Sequence, residues 1–123
     1  MLQKFGQNGG RTLSRPLGLG PTQDEGAAAV DRDGNVLVTV AFLGSLDFGN
    51  GVVLASAGGC DLLLSEFDAS GTFVDSQRYG EPDRSEIAWS VAVDSDNDVV
   101  VGGWSRALDT FGADRPLLVK FTR

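Results

Sequence analysis

The sequence predicts an all-β chain of antiparallel strands, and three observations carry that expectation. Of the 17 acidic residues, 13 are aspartate and four are glutamate. Aspartate disfavours helix and strand interiors and favours turns, where its short carboxylate accepts nearby backbone N–H groups. Gly and Pro together make 21 of 123 residues, enough for many turns yet below the roughly 25–30% of disordered low-complexity chains. Apolar residues recur at every second position: Val36, Val38, Val40 and Phe42 are separated by Leu37, Thr39 and Ala41, and Ile87, Trp89, Val91 and Val93 by Ala88, Ser90 and Ala92. Period two over seven residues is the strand signature, and nothing reads as a helix.

Taken in order, a strand is expected at 2–5, followed by the stretch GGRTLSRPLGLG, which Pro16 and its glycines mark as a flexible loop. A strand ending at Val30 leads through the turn DRDGN into a second strand at 36–42. A third at 62–67 and a fourth at 72–78 flank the turn DASG. Strands at 87–93, 99–104 and 116–121 follow, the first two joined by DSDND. In these turns Gly or Asn supplies the positive φ that a tight hairpin needs.

The second half repeats the first. VDRDGNVLV matches VDSDNDVVV with Asp31 and Asp94 63 positions apart, an offset that also aligns Phe48-Gly49 with Phe111-Gly112. LLLSEF matches PLLVKF at an offset of 54, so the second copy is nine residues shorter in between. QKFG at 3–6 matches QRYG at 77–80, which makes the first strand a counterpart of the fourth. Self-similarity of this kind is the mark of a repeat architecture.

The segments AAAVDRDGNVLVTVAF, SLDFG and SAGGCDLLLSEFDASG resemble the bacterial β-propeller repeat family known as SBBP repeats. Val40 stands where that family usually has glycine, Leu63 where an aromatic is common, and Asp75 near the place of a usual Trp. The resemblance implies antiparallel four-stranded β-propeller blades, about two of them: an outer strand of a preceding blade in 1–6, blade 1 in 26–80 and an incomplete blade 2 in 86–123. A closed propeller needs roughly four to eight blades, and repeats bury their apolar faces only against neighbours. The chain is therefore expected to be a piece of a longer propeller, a head-to-tail homo-oligomer, or a small sandwich. In the oligomer, residues 2–5 of one copy would complete the blade ending at Phe121 of the next. In a monomer, the same strand added to its own C-terminal sheet is the alternative.

Composition excludes several chemistries. With no histidine and one cysteine, there is no imidazole base, no His-activated nucleophile, no His/Cys zinc site and no intrachain disulfide. A net charge of −7 argues against nucleic-acid binding, which needs clustered cations. No stretch approaches the ~20 apolar residues of a membrane span, and the first ten residues lack the apolar run of a secretory signal, so the localisation is left open. Similar repeat proteins are often exported or held at the cell surface.

The turns offer alternate oxygen ligands, Asp31, Asp33 and Asn35 in the first copy and Asp94, Asp96 and Asp98 in the second, a spacing that calcium uses. They are not EF-hands, since Val36 and Val99 occupy the glycine position and Phe42 and Ser105 the glutamate position. Local capping of the hairpins is the favoured account of them. Asp24, Glu25, Asp83 and Glu86, in loops leading into inner strands, are the carboxylates that a hydrolase or lyase would use. Trp89 is expected in the core, whereas Trp104, beside Ser105 and Arg106, is the better candidate for a sugar-stacking surface. Cys60 reads as a small inert side chain where a strand begins. The expected function is a non-enzymatic binding scaffold for a protein or carbohydrate, with no cofactor unless calcium. Recognition would come from connections 6–26, 44–60, 80–86 and 105–115, all on one face, with Trp104 at a strand end and Arg106, Asp24, Asp83 and Arg84 as the candidate ligand contacts. The further alternative is a truncated gene fragment without independent function.

Overall fold

The computed structural model describes residues 2–15, 22–47, 51–109 and 113–123, so the repeated Phe-Gly pairs at 48–49 and 111–112 lie outside the described residues. The chain is all-β, with antiparallel sheets and no helix among the described residues. β1 (Leu2–Phe5) and β2 (Arg11–Arg15) form a hairpin. A four-stranded sheet in the order β3-β4-β7-β8 follows, from β3 (Thr22–Val30), β4 (Val36–Leu43), β7 (Asp61–Phe67) and β8 (Phe73–Tyr79). Between β4 and β7 a second hairpin is made by β5 (Ser45–Asp47) and β6 (Val53–Ala55). The last sheet has the order β11-β10-β9, from β9 (Arg84–Val93), β10 (Val99–Ala107) and β11 (Asp114–Phe121).

Three expectations need correcting. The stretch after residue 9 is not wholly a loop: Arg11–Arg15 pairs with β1 across a turn closed by Gly6 and Gly10. The first strand therefore finds its partner in β2 and does not add to the C-terminal sheet, whose described strands are β9, β10 and β11. The strands also run further than the alternation suggested, with β3 beginning at Thr22 and β9 at Arg84, inside the connections 6–26 and 80–86, and the connection 44–60 contains the β5–β6 hairpin. Asp24, Glu25, Arg84 and Glu86 accordingly lie in strands and not in loops.

The hairpin turns share one construction. The N–H of Asp31, Asp68 and Asp94 donates to the carbonyl four residues on, and each Asp carbonyl accepts from the residue three on. That third residue has positive φ: Gly34 at 83°, Gly71 at 83° and Asn97 at 68°. Asn is the non-glycine residue that tolerates this region best, which is why DSDND can replace DRDGN.

How the sheets stack follows from which face of each is apolar. In the first sheet Val36, Val38, Val40, Leu63 and Phe67 line one face, called the front, where Leu46 and Leu54 of the β5–β6 hairpin cover them. Leu37, Leu62 and Leu64 line its back. That back joins Ala88, Val99, Val101 and Phe121 of the second sheet in a single core. At the repeat offsets, Val99, Val101 and Phe121 are the counterparts of Val36, Val38 and Phe67, so the front of the second sheet packs on the back of the first. Unlike faces meet.

One local irregularity decides the back of the second sheet. Ser90 pairs with Gly102 and Ala88 with Gly103, leaving Trp89 as an extra residue on β9. The chain comes so close there that a Cβ on Gly103 would lie 1.8 Å from the Ile87 carbonyl oxygen. An inserted residue reverses the in–out alternation on either side of it.

Candidate functional site

Three clusters of polar or aromatic side chains are placed by this fold. At the turn end, Asp31 Oδ1 accepts the N–H groups of Asp33 and Asn35, both at 2.9 Å. Its Oδ2 accepts from Asn35 Nδ2 and from Arg123 Nη1, again at 2.9 Å. Burial alone would raise the Asp31 pKa, but the bonds from Asn35 and Arg123 outweigh it and hold the carboxyl below its ordinary range. Asp94 repeats the pattern with Asp96 and Asp98 N–H, and Lys120 Nζ lies 2.7 Å from Asp94 and 3.1 Å from Asp98. The Asp94 and Asp98 carboxylates push Lys120 up to about 12. Arg32 donates to the Ser95 carbonyl and Arg123 to Glu66, so the two turns are tied to each other and to β7. The carboxylates of Asp31 and Asp94 thus serve as caps and ion-pair acceptors, and no group of three or more acidic or Cys side chains suited to a metal ion occurs among the described residues.

At the opposite end a polar seam is buried between the sheets. Arg84 Nε donates to Ser105 Oγ at 2.6 Å and its Nη2 to the Ser105 carbonyl at 2.9 Å, while Ser105 Oγ donates to Glu86 Oε1 at 3.2 Å. Asp61 Oδ2 accepts from Arg78 at 2.6 Å and from the Ala57 N–H at 2.9 Å. Asp61 Oδ1 and Glu86 Oε2 accept no hydrogen bond among the described residues. Burial pushes the Glu86 pKa up, against the Ser105 bond and with help from the nearby Asp61 charge. Arg84, Glu86 and Asp61 are all buried, and beside them the Glu86 N–H donates to the Cys60 carbonyl at 2.7 Å and joins the two sheets, so this seam offers no carboxylate to a ligand. Asp83 is exposed in the turn before β9, and its carbonyl accepts the Leu108 N–H at 2.9 Å. The side chains of Asp24 and Glu25 lie outside the described residues. Half-buried Cys60 sits immediately before β7, its N–H bonded to Ser85 Oγ.

The third cluster lies on the back of the second sheet. Trp89 on β9 and Trp104 on β10 meet edge to face, with ring centroids 6.3 Å apart and planes at 70°. Arg106 lies over the Trp104 ring, 4.7 Å from its centroid. The same guanidinium forms a two-point pair with Asp114, Nε to Oδ1 at 2.8 Å and Nη2 to Oδ2 at 3.0 Å. The Arg106 bond keeps the Asp114 carboxyl below its ordinary range. Together with Gly103, Arg115 and Pro116 these residues line a shallow cleft of about 550 Å3.

Of the expected ligand residues, the structure therefore brings Trp104 and Arg106 together and leaves Asp83 and Arg84 elsewhere. Sequence reasoning missed two members. Trp89, expected in the core, is 62% exposed, because the extra residue on β9 reverses the alternation that assigned it inward. Asp114 was not singled out. A signal was present in the repeat: at the offsets of 63 and 54, Trp104 stands against Ala41 and Asp114 against Cys60. No protein-family model matches the chain, and no curated protein matches it.

Proposed function

We propose that the chain is a non-enzymatic binding scaffold of propeller-type repeats, with its binding surface on the back of the second sheet. The observation that carries this reading is the meeting of unlike faces. Two sheets of an ordinary sandwich are free to pack like face on like face, whereas successive blades of a propeller use front on back, as these two do. Among the described residues no other sheet packs on the back of the second sheet, and an apolar face left open in this way is a surface for binding. Here it carries Trp89, 62% exposed, and Leu118, 77% exposed. Hydrolytic chemistry would need a reachable pair of carboxylates, and Glu86 is fully buried. Asp24, Asp83 and the calcium-spaced turn residues are secondary to this surface in the proposal.

Single serine replacements test the reading. Leu64→Ser, on the covered back of the first sheet, should prevent folding, while Leu118→Ser at the counterpart position should leave the circular dichroism spectrum and melting temperature of the parent. Equal sensitivity at both positions would sink the front-on-back arrangement.

A further inference from the structure

On that reading, we propose that the cleft of Trp89, Trp104, Arg106 and Asp114 binds a neutral saccharide. The alternative occupant is another sheet, either a further blade or a second copy arranged head to tail, and the repeat itself argues against it. Where the first sheet receives its neighbour, β4 presents Ala41, fully buried. The counterpart on β10 is Trp104, whose ring rises from the sheet where the covered repeat keeps a methyl group. A sheet cannot approach this surface as closely as the second sheet approaches the first. The front face that a copy would bring is also already covered by its own β5–β6 hairpin.

The chemistry of the cleft selects the ligand. With one face of the Trp104 ring taken by Arg106, the exposed indole of Trp89 offers the apolar platform with a negative face, suited to the axial C–H groups of a pyranose. Beside them stands an Arg–Asp pair whose charges neutralise each other, because Nε and Nη2 of Arg106 are both given to Asp114. An anionic ligand would have to displace Asp114 and approach a chain of net charge −7, and a cationic one would meet Arg106 lying over Trp104. A neutral ligand with alternating donors and acceptors fits without breaking the pair: hydroxyls can accept from the remaining guanidinium N–H groups and donate to the free lone pairs of Asp114. The open, shallow shape suits a stretch of chain more than a single enclosed sugar.

The two tryptophans of the chain are both in this cleft, so tryptophan emission, excited where Tyr79 does not absorb, reports on it alone. The experiment titrates the purified chain with β-1,4-linked and α-1,4-linked glucohexaose, and with oligogalacturonate as an anionic control, following emission and sedimentation together. A saturable emission change with a neutral hexaose, weakened roughly tenfold or more in Trp89→Ala and unchanged in Val74→Ala on β8, is the expected result. Preference for the anionic oligomer would overturn the proposal. No response to either glycan, with a concentration-dependent increase in mass that Trp89→Ala abolishes, would assign the face to a second copy: the saccharide would fail and the scaffold reading would survive. Neither response would overturn both.

Discussion

The two sheets are built from one sequence pattern and end in different environments. In the first, β4 is buried at six successive positions and β7 at five, because the second sheet covers its back and the β5–β6 hairpin its front. In the second, β11 alternates between exposed and half-buried along most of its length, because among the described residues only its front is covered. Leu64 and Leu118 occupy the same place in the repeat, yet one is 6% exposed and the other 77%. Burial is thus a property of the neighbour a strand is given, and identical apolar positions have different energetic weight according to what packs on them.

The largest contrast is expected at that pair. Leu64→Ala should cost about 2–5 kcal/mol, the usual range for a cavity in a packed core, and Leu118→Ala should stay within about 0.5 kcal/mol, both read from urea unfolding. Comparable losses at the two sites would break the comparison.

A smaller difference separates the turns. Asp31 is 7% exposed and accepts from two N–H groups, Asn35 and Arg123, whereas Asp94 is held by exposed Lys120. Asp31→Ala should cost about 1–3 kcal/mol and Asp94→Ala less, again by urea unfolding. The sign with pH follows from the lowered Asp31 value: its contribution is present above the unfolded carboxyl pKa and is lost as pH falls through the folded one.

The seam between the sheets titrates in the opposite sense. With its folded pKa raised, Glu86 contributes stability below the unfolded carboxyl value and loses it as pH rises through the folded value. Glu86→Gln should therefore raise the melting temperature more at about pH 8 than at about pH 4. A gain that is equal at both, or reversed, would remove Glu86 from the pH dependence.

The smallest effect is expected from calcium. If the Asp-rich turns act as caps in both repeats, millimolar calcium leaves the melting temperature unchanged. A saturable rise, as mass action requires of a ligand bound by the folded state, would make the turns metal sites instead.

Most strand positions were legible because period-two alternation and Asp-Gly or Asp-Asn turns are local signals, and so was the nomination of Trp104 and Arg106. Arg11–Arg15 was missed because Pro16 and the surrounding glycines indicate loop, while the pairing with β1 that makes it a strand is supplied across a turn. Trp89 was missed for a sharper reason. The alternation of Ile87, Trp89, Val91 and Val93 is real in the sequence, but one extra residue on β9 puts Val91 and Val93 with Ala88 on the covered face and Trp89 on the exposed one.

By itself, the sequence determined the all-β class, the turns and the twofold repetition, since these follow from backbone preferences that act over a few residues. Only the tertiary structure decided which face of each repeat is covered. It brought together Trp89, Trp104, Arg106 and Asp114 from three strands, and it placed Glu86 out of reach between two sheets. Those outcomes depend on contacts between residues far apart in the chain and on one reversal of alternation, neither of which a local pattern encodes.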